Sequence, residues 1–239
     1  MQKSVLMLLL AGSLSQTTLV LAAEPQPYTL TYKANFEGVD TDMVRSLAHA
    51  QGEGDWEMKS SASVKLLGTT VISVEESSVF GLHNEQPVSK HYSYVQGGLS
   101  KRKRQMDFAA DGKSASYSVN DKSGTLTLMP PAFDTFNSAL VLRNQLLAGK
   151  TDISFTVADK TEATVQKYHV AGKESITTAA GTFNTVHVQR VRDGDSKRTT
   201  DLWLAPDKDY VLVKSLQVEP DGSNISMQLK SGEVGGQKL

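Results

Sequence analysis

Tyr28-Thr29-Leu30-Thr31-Tyr32-Lys33-Ala34-Asn35-Phe36 decides the fold class: apolar residues hold every second position and polar residues the positions between. Side chains of an extended strand point alternately to opposite faces, so this segment offers one face to a core and the other to water. Trp56, Met58, Ala62, Val64 and Leu66 alternate in the same way against Glu57, Lys59, Ser61, Ser63 and Lys65. The pattern returns at Ile153, Phe155 and Val157, at Val186 and Val188, at Tyr210 and Leu212, and at Ile225, Met227 and Leu229. One-sided strands of this kind belong in antiparallel sheet, whose second face can stay solvated.

Turn chemistry separates these segments. Gly97-Gly98, Asp111-Gly112, Ser123-Gly124, Ala180-Gly181, Asp193-Gly194 and Asp221-Gly222 suit hairpins or bulged loops. Their spacing predicts a meander of roughly ten strands. No composition shift, long linker or internal repeat interrupts residues 24–239, which therefore read as one β-rich domain.

Residues 1–23 have a different character. Lys3 precedes an apolar run from Val5 to Ala11, a weaker stretch to Thr18 and a second patch from Leu19 to Ala22, the order of a secretory signal. Val20 and Ala22 supply small residues before a cut after Ala22, and a cut after Ala23 fits nearly as well. Gly12, Ser13, Ser15, Gln16, Thr17 and Thr18 interrupt the roughly 20 apolar residues that a membrane span needs. Cleavage is thus expected to leave no integral membrane segment. It leaves 216 of the 239 residues, enough for one sizeable core.

That core has no covalent staple, because the sequence contains no cysteine. The same absence excludes disulfides, thiolate metal sites and an acylated-cysteine anchor. Without Lys3 the chain carries 24 basic and 26 acidic residues, and so nearly neutral a surface exerts no long-range pull on nucleic acid. Lys101-Arg102-Lys103-Arg104 reads as a solvated strand end or hairpin.

One segment departs from period two. After Pro130-Pro131, Asp134 is placed to cap a helix beginning at Thr135, and Phe136, Ala139, Leu140, Leu146 and Leu147 recur at three- and four-residue spacing until Gly149. Asn137, Asn144 and Gln145 are expected to face away from that stripe. A helix of about 14 residues, at about 1.5 Å each, is too short to cover a flat sheet of so many strands. The expected architecture is mainly β: a single strongly curved antiparallel sheet, half-barrel or barrel, with one α-helix covering its open side.

Catalytic patterns are scarce. His49, His83, His91, His169 and His187 are scattered, without the spacing of a metal-binding helix. There is no Gly-x-Ser-x-Gly elbow and no phosphate-binding glycine loop, and Asp193-Gly194-Asp195 and Asp207-Lys208-Asp209 do not continue into a calcium loop. Glu75 and Glu76 fall on opposite faces of one strand and cannot flank a glycosidic bond together. The sequence nominates no catalytic residue, no metal ligand and no cofactor.

A curled sheet closed by a helix can instead enclose an apolar pocket. Tyr32, Phe36, Trp56, Met58, Phe136, Leu140 and Phe155 are the candidate lining residues, and a filled core is the alternative use of the same side chains. A void above roughly 300 Å³ separates the two expectations. Two other functions remain open: a hydrolase-type enzyme assembled from His91, Asp134 and Arg143, and an interaction module acting through sheet edges.

Three stretches together resemble a known family. Phe133-Asp134-Thr135-Phe136-Asn137-Ser138-Ala139-Leu140-Val141-Leu142-Arg143, with Gly149 following, is similar to the family's helix segment. Ala180-Gly181-Thr182-Phe183 is similar to one strand entry, and Trp203-Leu204-Ala205-Pro206-Asp207 to a strand and its turn. In their order they resemble the DUF3108 family of exported bacterial proteins. The resemblance implies a Gram-negative periplasm and a curved sheet similar to the lipoprotein-carrier folds, and it implies no catalytic residues. The resulting expectation is a non-enzymatic periplasmic protein of the cell envelope, holding a hydrophobic small molecule or lipid, or an envelope protein partner, in its curved sheet.

Overall fold

A computed structural model describes residues 24–36, 38–51, 54–66 and 69–239; the signal-like segment 1–23 and the side chains of Lys65 and Leu66 lie outside what it describes. The first strands are β1 (Tyr28–Phe36), β2 (Val39–His49), β3 (Asp55–Leu66), β4 (Thr69–His83), β5 (Gln86–Gly98) and β6 (Arg102–Phe108). Next come β7 (Ser114–Val119), β8 (Lys122–Thr127), β9 (Ala132–Asp134), the helix α1 (Ser138–Leu147) and β10 (Asp152–Asp159). The chain finishes with β11 (Glu162–Thr178), β12 (Gly181–Val191), β13 (Thr199–Ala205), a 3₁₀ turn at Pro206–Lys208, β14 (Val211–Val218), β15 (Asn224–Val234) and β16 (Gln237–Lys238).

All strands of the described residues belong to one sheet. Its order is β8-β7-β6-β5-β4-β3-β2-β1-β15-β14-β13-β12-β11-β10-β9, with β16 added at the end of β15. Every pair is antiparallel except β9 with β10, so the sheet is mixed rather than wholly antiparallel. The exception has a simple cause: α1 lies between β9 and β10 in sequence, and a crossover helix is what parallel neighbours require.

The sheet curls strongly but is not a closed barrel, since among the described residues no ladder joins β8 to β9. Fifteen strands in sequence, about 4.8 Å apart, would span about 65 Å if flat. Yet the two edge strands are linked by Leu128–Pro131 alone, which reaches about 18 Å at most. The edges must therefore come round to face each other. Side chains tie the β9–β10 end of the sheet to strands inside the other edge: Ser78 on β4 donates to Asp134 on β9 at 2.7 Å, and Arg104 on β6 pairs with Asp159 on β10 at 3.0 Å.

Among the described residues sixteen strands form where turn spacing suggests about ten. Among the strands beyond that count are the short Ser114–Val119 and Lys122–Thr127, which turn Ala115, Tyr117 and Leu126 toward the core. Ser123-Gly124 lies within β8, and the reversal occurs at Asn120, with φ 53°. Gly124 is needed for another reason: a Cβ there would sit 2.5 Å from the hydroxyl of Tyr117, its cross-strand partner. Tyr210 has φ 56° and belongs to the turn before β14, where Val211 and Val213 are the fully buried residues and Leu212 is half-buried. An irregularity in the β13–β14 ladder between Trp203 and Leu204 shifts the phase that simple alternation assigned.

The helix also departs from expectation. It begins at Ser138 with Asn137 as N-cap, because the β9–β10 ladder holds Asp134 in extended backbone. Asp134 instead caps the preceding turn, its Oδ1 accepting from the N–H of Phe136 at 2.9 Å and of Asn137 at 2.8 Å. At the other end Lys150 N–H reaches Gln145 and Gly149 N–H reaches Leu146, with Gly149 at φ 73°, which is a Schellman closure. The helix is not one-sided. Asn137 and Asn144, expected to face away, are buried, whereas Ala139 is exposed and Leu147 half-buried. Phe136 and Leu140 join the core cluster of Leu47, Met58 and Phe80, while Leu142 and Leu146 join that of Ile153, Val188 and Leu204.

Candidate functional site

The inner face of the sheet presents two adjoining spaces. Cross-strand register aligns Leu30, Arg45, Ser60 and Glu76 in one row and Tyr32, Met43, Ala62 and Val74 in the next. Rows two residues apart lie about 6.8 Å from each other along the strands. The first space, beneath α1, is a cavity of about 200 Å³ walled by Tyr32, Arg45, Met58, Leu140, Tyr168 and Leu204, among others. The second, beyond the reach of the short helix, is a groove of about 530 Å³ whose walls include Phe36, Ala62, Val64, Ile72, Val74 and Tyr94.

Polar bonds fix α1 over the cavity from two sides. Asn144 donates to the carbonyl of Glu85, in the β4–β5 turn, at 2.6 Å. Arg143 pairs with Asp209, in the turn before β14, and also donates to the side chain of Asn144 at 2.8 Å. Asp209 further accepts from the N–H of Gln26 at 2.8 Å, which draws the segment before β1 to the same corner. Tyr32 donates its hydroxyl to the carbonyl of Leu212 at 2.9 Å.

Electrostatics inside the cavity are uneven. Arg143 and Asp209 neutralise each other, whereas Arg45 has no hydrogen bond or ion pair among the described residues, and its Nε is buried without a partner. The Arg45 guanidinium lies 5.6 Å from the ring centroid of Phe136 and 6.0 Å from that of Tyr32. Burial pushes the Tyr28 hydroxyl up to about 12, with Arg45 acting in the opposite sense. Burial likewise raises Tyr32 and Tyr92 well above the usual phenol range, so both stay neutral donors. Asp134 is raised to about 6 because it is fully buried; its bonds from Asn137 N–H, Ser78 and Phe136 N–H offset only part of that.

Of the residues expected to line a pocket, Tyr32, Met58 and Leu140 face the cavity and Phe36 the groove. Trp56, Phe136 and Phe155 line neither space. Trp56 is buried with His49 against its ring at 4.0 Å, Phe136 sits over Arg45, and Phe155 stacks on Tyr168 at 5.6 Å. Arg45 is not among the residues that period-two alternation nominates. Its signal was there: it lies between Met43 and Leu47 at the inward phase of β2, where a charge is out of place.

The three residues of the hydrolase reading have separate engagements. His91 bonds Asp107 at 2.7 Å at an exposed position, Asp134 bonds Ser78 and the main chain, and Arg143 pairs with Asp209. His187 is held between Glu174 and Asp201 and stacks on Trp203 at 4.5 Å, while His169 is exposed on Asp152. Among the described residues no group of three or more His, Cys, Asp or Glu side chains is arranged to hold a metal ion, and no helix is long and apolar enough to cross a membrane.

Solved structures place this fold among known ones. The chain is similar to a β-barrel-like protein of the domain of unknown function DUF1849 from Brucella abortus, with 11% identity, TM-score 0.58, and coverage of 90% of this chain and 100% of that one. At that identity the likeness concerns the fold alone. Weaker likenesses are to MucB (9% identity, TM-score 0.36, 91% of this chain and 56% of that one) and to a putative lipoprotein from Parabacteroides distasonis (14%, 0.34, 89% and 96%). No curated protein matches the sequence. Residues 27–230 match the family described as protein of unknown function DUF3108, a match spanning nearly all of the sheet and its helix, and the chain belongs to that family.

Proposed function

We propose that this chain is a non-enzymatic periplasmic protein of the cell envelope that binds a lipid-like apolar ligand along the inner face of its sheet. The groove beside Phe36 carries the proposal: its volume of about 530 Å³ falls within the range of roughly 300 to 1,000 Å³ typical of ligand sites, and its walls are mostly aliphatic and aromatic. The cavity under α1, at about 200 Å³, falls below that range and lies one cross-strand row from the groove. The groove is open because α1 has only ten residues, about 15 Å, and covers only part of the inner face. The order of charges and apolar residues in 1–23 supports export.

The test uses the delipidated mature chain and N-phenyl-1-naphthylamine, a neutral fluorophore that brightens in apolar surroundings. Saturable brightening is expected, and Ile72→Trp, which fills the groove, should abolish it while leaving the melting temperature within a few degrees. Absence of brightening, or equal brightening in Ile72→Trp, refutes the ligand reading. Cell fractionation tests the compartment, and retention of the chain in the cytoplasm would contradict it.

A further inference from the structure

We infer that Arg45 recognises an anionic head group, so that the ligand of the inner face is an amphiphile with one carboxylate or phosphate at the end of an apolar chain. The inference rests on the apolar-ligand reading and adds to it the charge of the ligand.

The argument begins with a charge imbalance. The cavity walls hold two guanidiniums, Arg45 and Arg143, and one carboxylate, Asp209, and that carboxylate is engaged by Arg143. Arg45 is half-buried, and its Nε is taken out of water with no acceptor to replace that hydration, which is costly. Arg45 has ring faces on two sides but no acceptor among the described residues, and the buried Nε is left without one. The other nearby carboxylate on the inner face, Glu76, lies in the same cross-strand row and accepts from the Tyr92 hydroxyl at 2.8 Å. A half-buried cation beside two aromatic rings, with no acceptor among the described residues and aliphatic side chains around it, offers a place for an anion.

The surroundings fit the rest of such a molecule. Leu30, Leu47, Met58 and Leu140 share the cavity with Arg45, and the groove begins one row away at Ala62 and Val74. Tyr28 lies in the same cavity and adds a phenol that remains protonated near neutral pH. A head group at Arg45 would thus have apolar surface beside it for its chain, at Leu30, Leu47, Met58 and Leu140. A purely bracing role for Arg45, through its stem and the two rings, is the competing account, and a methionine at this position preserves the stem while removing the charge.

The experiment compares decanoate, decyl phosphate and decanol as competitors of the bound fluorophore, in the wild-type chain and in Arg45→Met. In the wild type the two anions should displace the probe about 10- to 100-fold more effectively than decanol, the range for a hydrogen bond to a charged group in a partly buried site. Their relative strength distinguishes a carboxylate-headed from a phosphate-headed ligand. Arg45→Met should lose the preference for anions and keep the affinity for decanol. Equal displacement by all three in the wild type, or an anion preference that survives in Arg45→Met, overturns the role of Arg45 and leaves the apolar-ligand reading standing. If the fluorophore binds but none of the three displaces it, the amphiphile inference is overturned; if the fluorophore itself fails to bind, the apolar-ligand reading falls and the inference with it.

Discussion

Arg143 on the helix and Asp209 in the turn before β14, 66 residues apart in sequence, form a nearly buried ion pair, with side chains 5% and 15% exposed and Nε to Oδ1 at 2.9 Å. The pair fastens the only described α-helix to the far side of the sheet, while Asn144 fastens it to the β4–β5 turn. The helix is therefore part of the closure of the sheet rather than a detachable cover.

Removing one partner of that pair should be costly. Arg143→Met leaves Asp209 with Gln26 N–H alone and should cost about 3 kcal/mol, the lower end for a broken buried pair because Asp209 keeps some water. Adding Asp209→Asn removes the orphaned charge and should recover a good part of the loss, since asparagine tolerates the left-handed backbone at φ 56°. Urea unfolding of the single and double variants decides it: equal losses in both would show that the charge is not what matters.

Leu140 is 6% exposed in the core under the helix, whereas its neighbour Ala139 faces solvent. Leu140→Ala should cost about 2 to 5 kcal/mol. Ala139→Ser should change stability by less than about 0.5 kcal/mol, as at ordinary surface positions. A melting temperature unaltered by Leu140→Ala would mean that the helix is not packed into the core in solution.

Asp134 gives stability an acid-side dependence of unusual sign. Its carboxyl titrates near 6 when folded against 3.8 when exposed, so between those values the folded state binds the extra proton. The ionised group is the destabilised one. Its contribution improves as pH falls from about 6 to about 4, by about 3 kcal/mol at most, each pKa unit being about 1.4 kcal/mol. The wild type should gain on Asp134→Asn over that interval; a difference between the two that stays flat from pH 7 to pH 4 would show that Asp134 titrates normally.

Gly149 closes the helix at φ 73° with nothing within 4 Å of where a Cβ would stand. Its requirement is conformational and not steric. Gly149→Ala should cost about 1 kcal/mol and Gly149→Asn less, because asparagine adopts the left-handed region more readily. Thermal unfolding of both variants checks the order, and a larger loss for asparagine would point to crowding in place of backbone strain.

The inner face of β1 was legible from its own nine residues, because in Leu30, Tyr32 and Ala34 the period of two and burial coincide. Tyr32 and Phe36 could both be assigned to that face, but not to different spaces on it, since that depends on where α1 stops. Ser114–Val119 carries the period of two in Ala115, Tyr117 and Val119, whereas Lys122–Thr127 has Leu126 alone and becomes a strand through its pairing with β7. Asn137 and Asn144 were misjudged for a similar reason. Polarity predicts exposure only until a distant group supplies the hydrogen bond: Ser89 for Asn137 and the Glu85 carbonyl for Asn144.

The class of structure was already written in the residues: one-sided strands joined by tight turns, one helix between Pro131 and Gly149, and a core without disulfides. These follow from local periodicity and composition, which act within a few residues. Tertiary structure alone decided the parallel pairing of β9 with β10, the approach of the two sheet edges across Leu128–Pro131, the pairing of Arg143 with Asp209 and the placing of Arg45 before an apolar cavity. Each depends on residues that meet only when the sheet has curled, and whether a side chain is paired, covered or left open is fixed by that encounter rather than by its own identity.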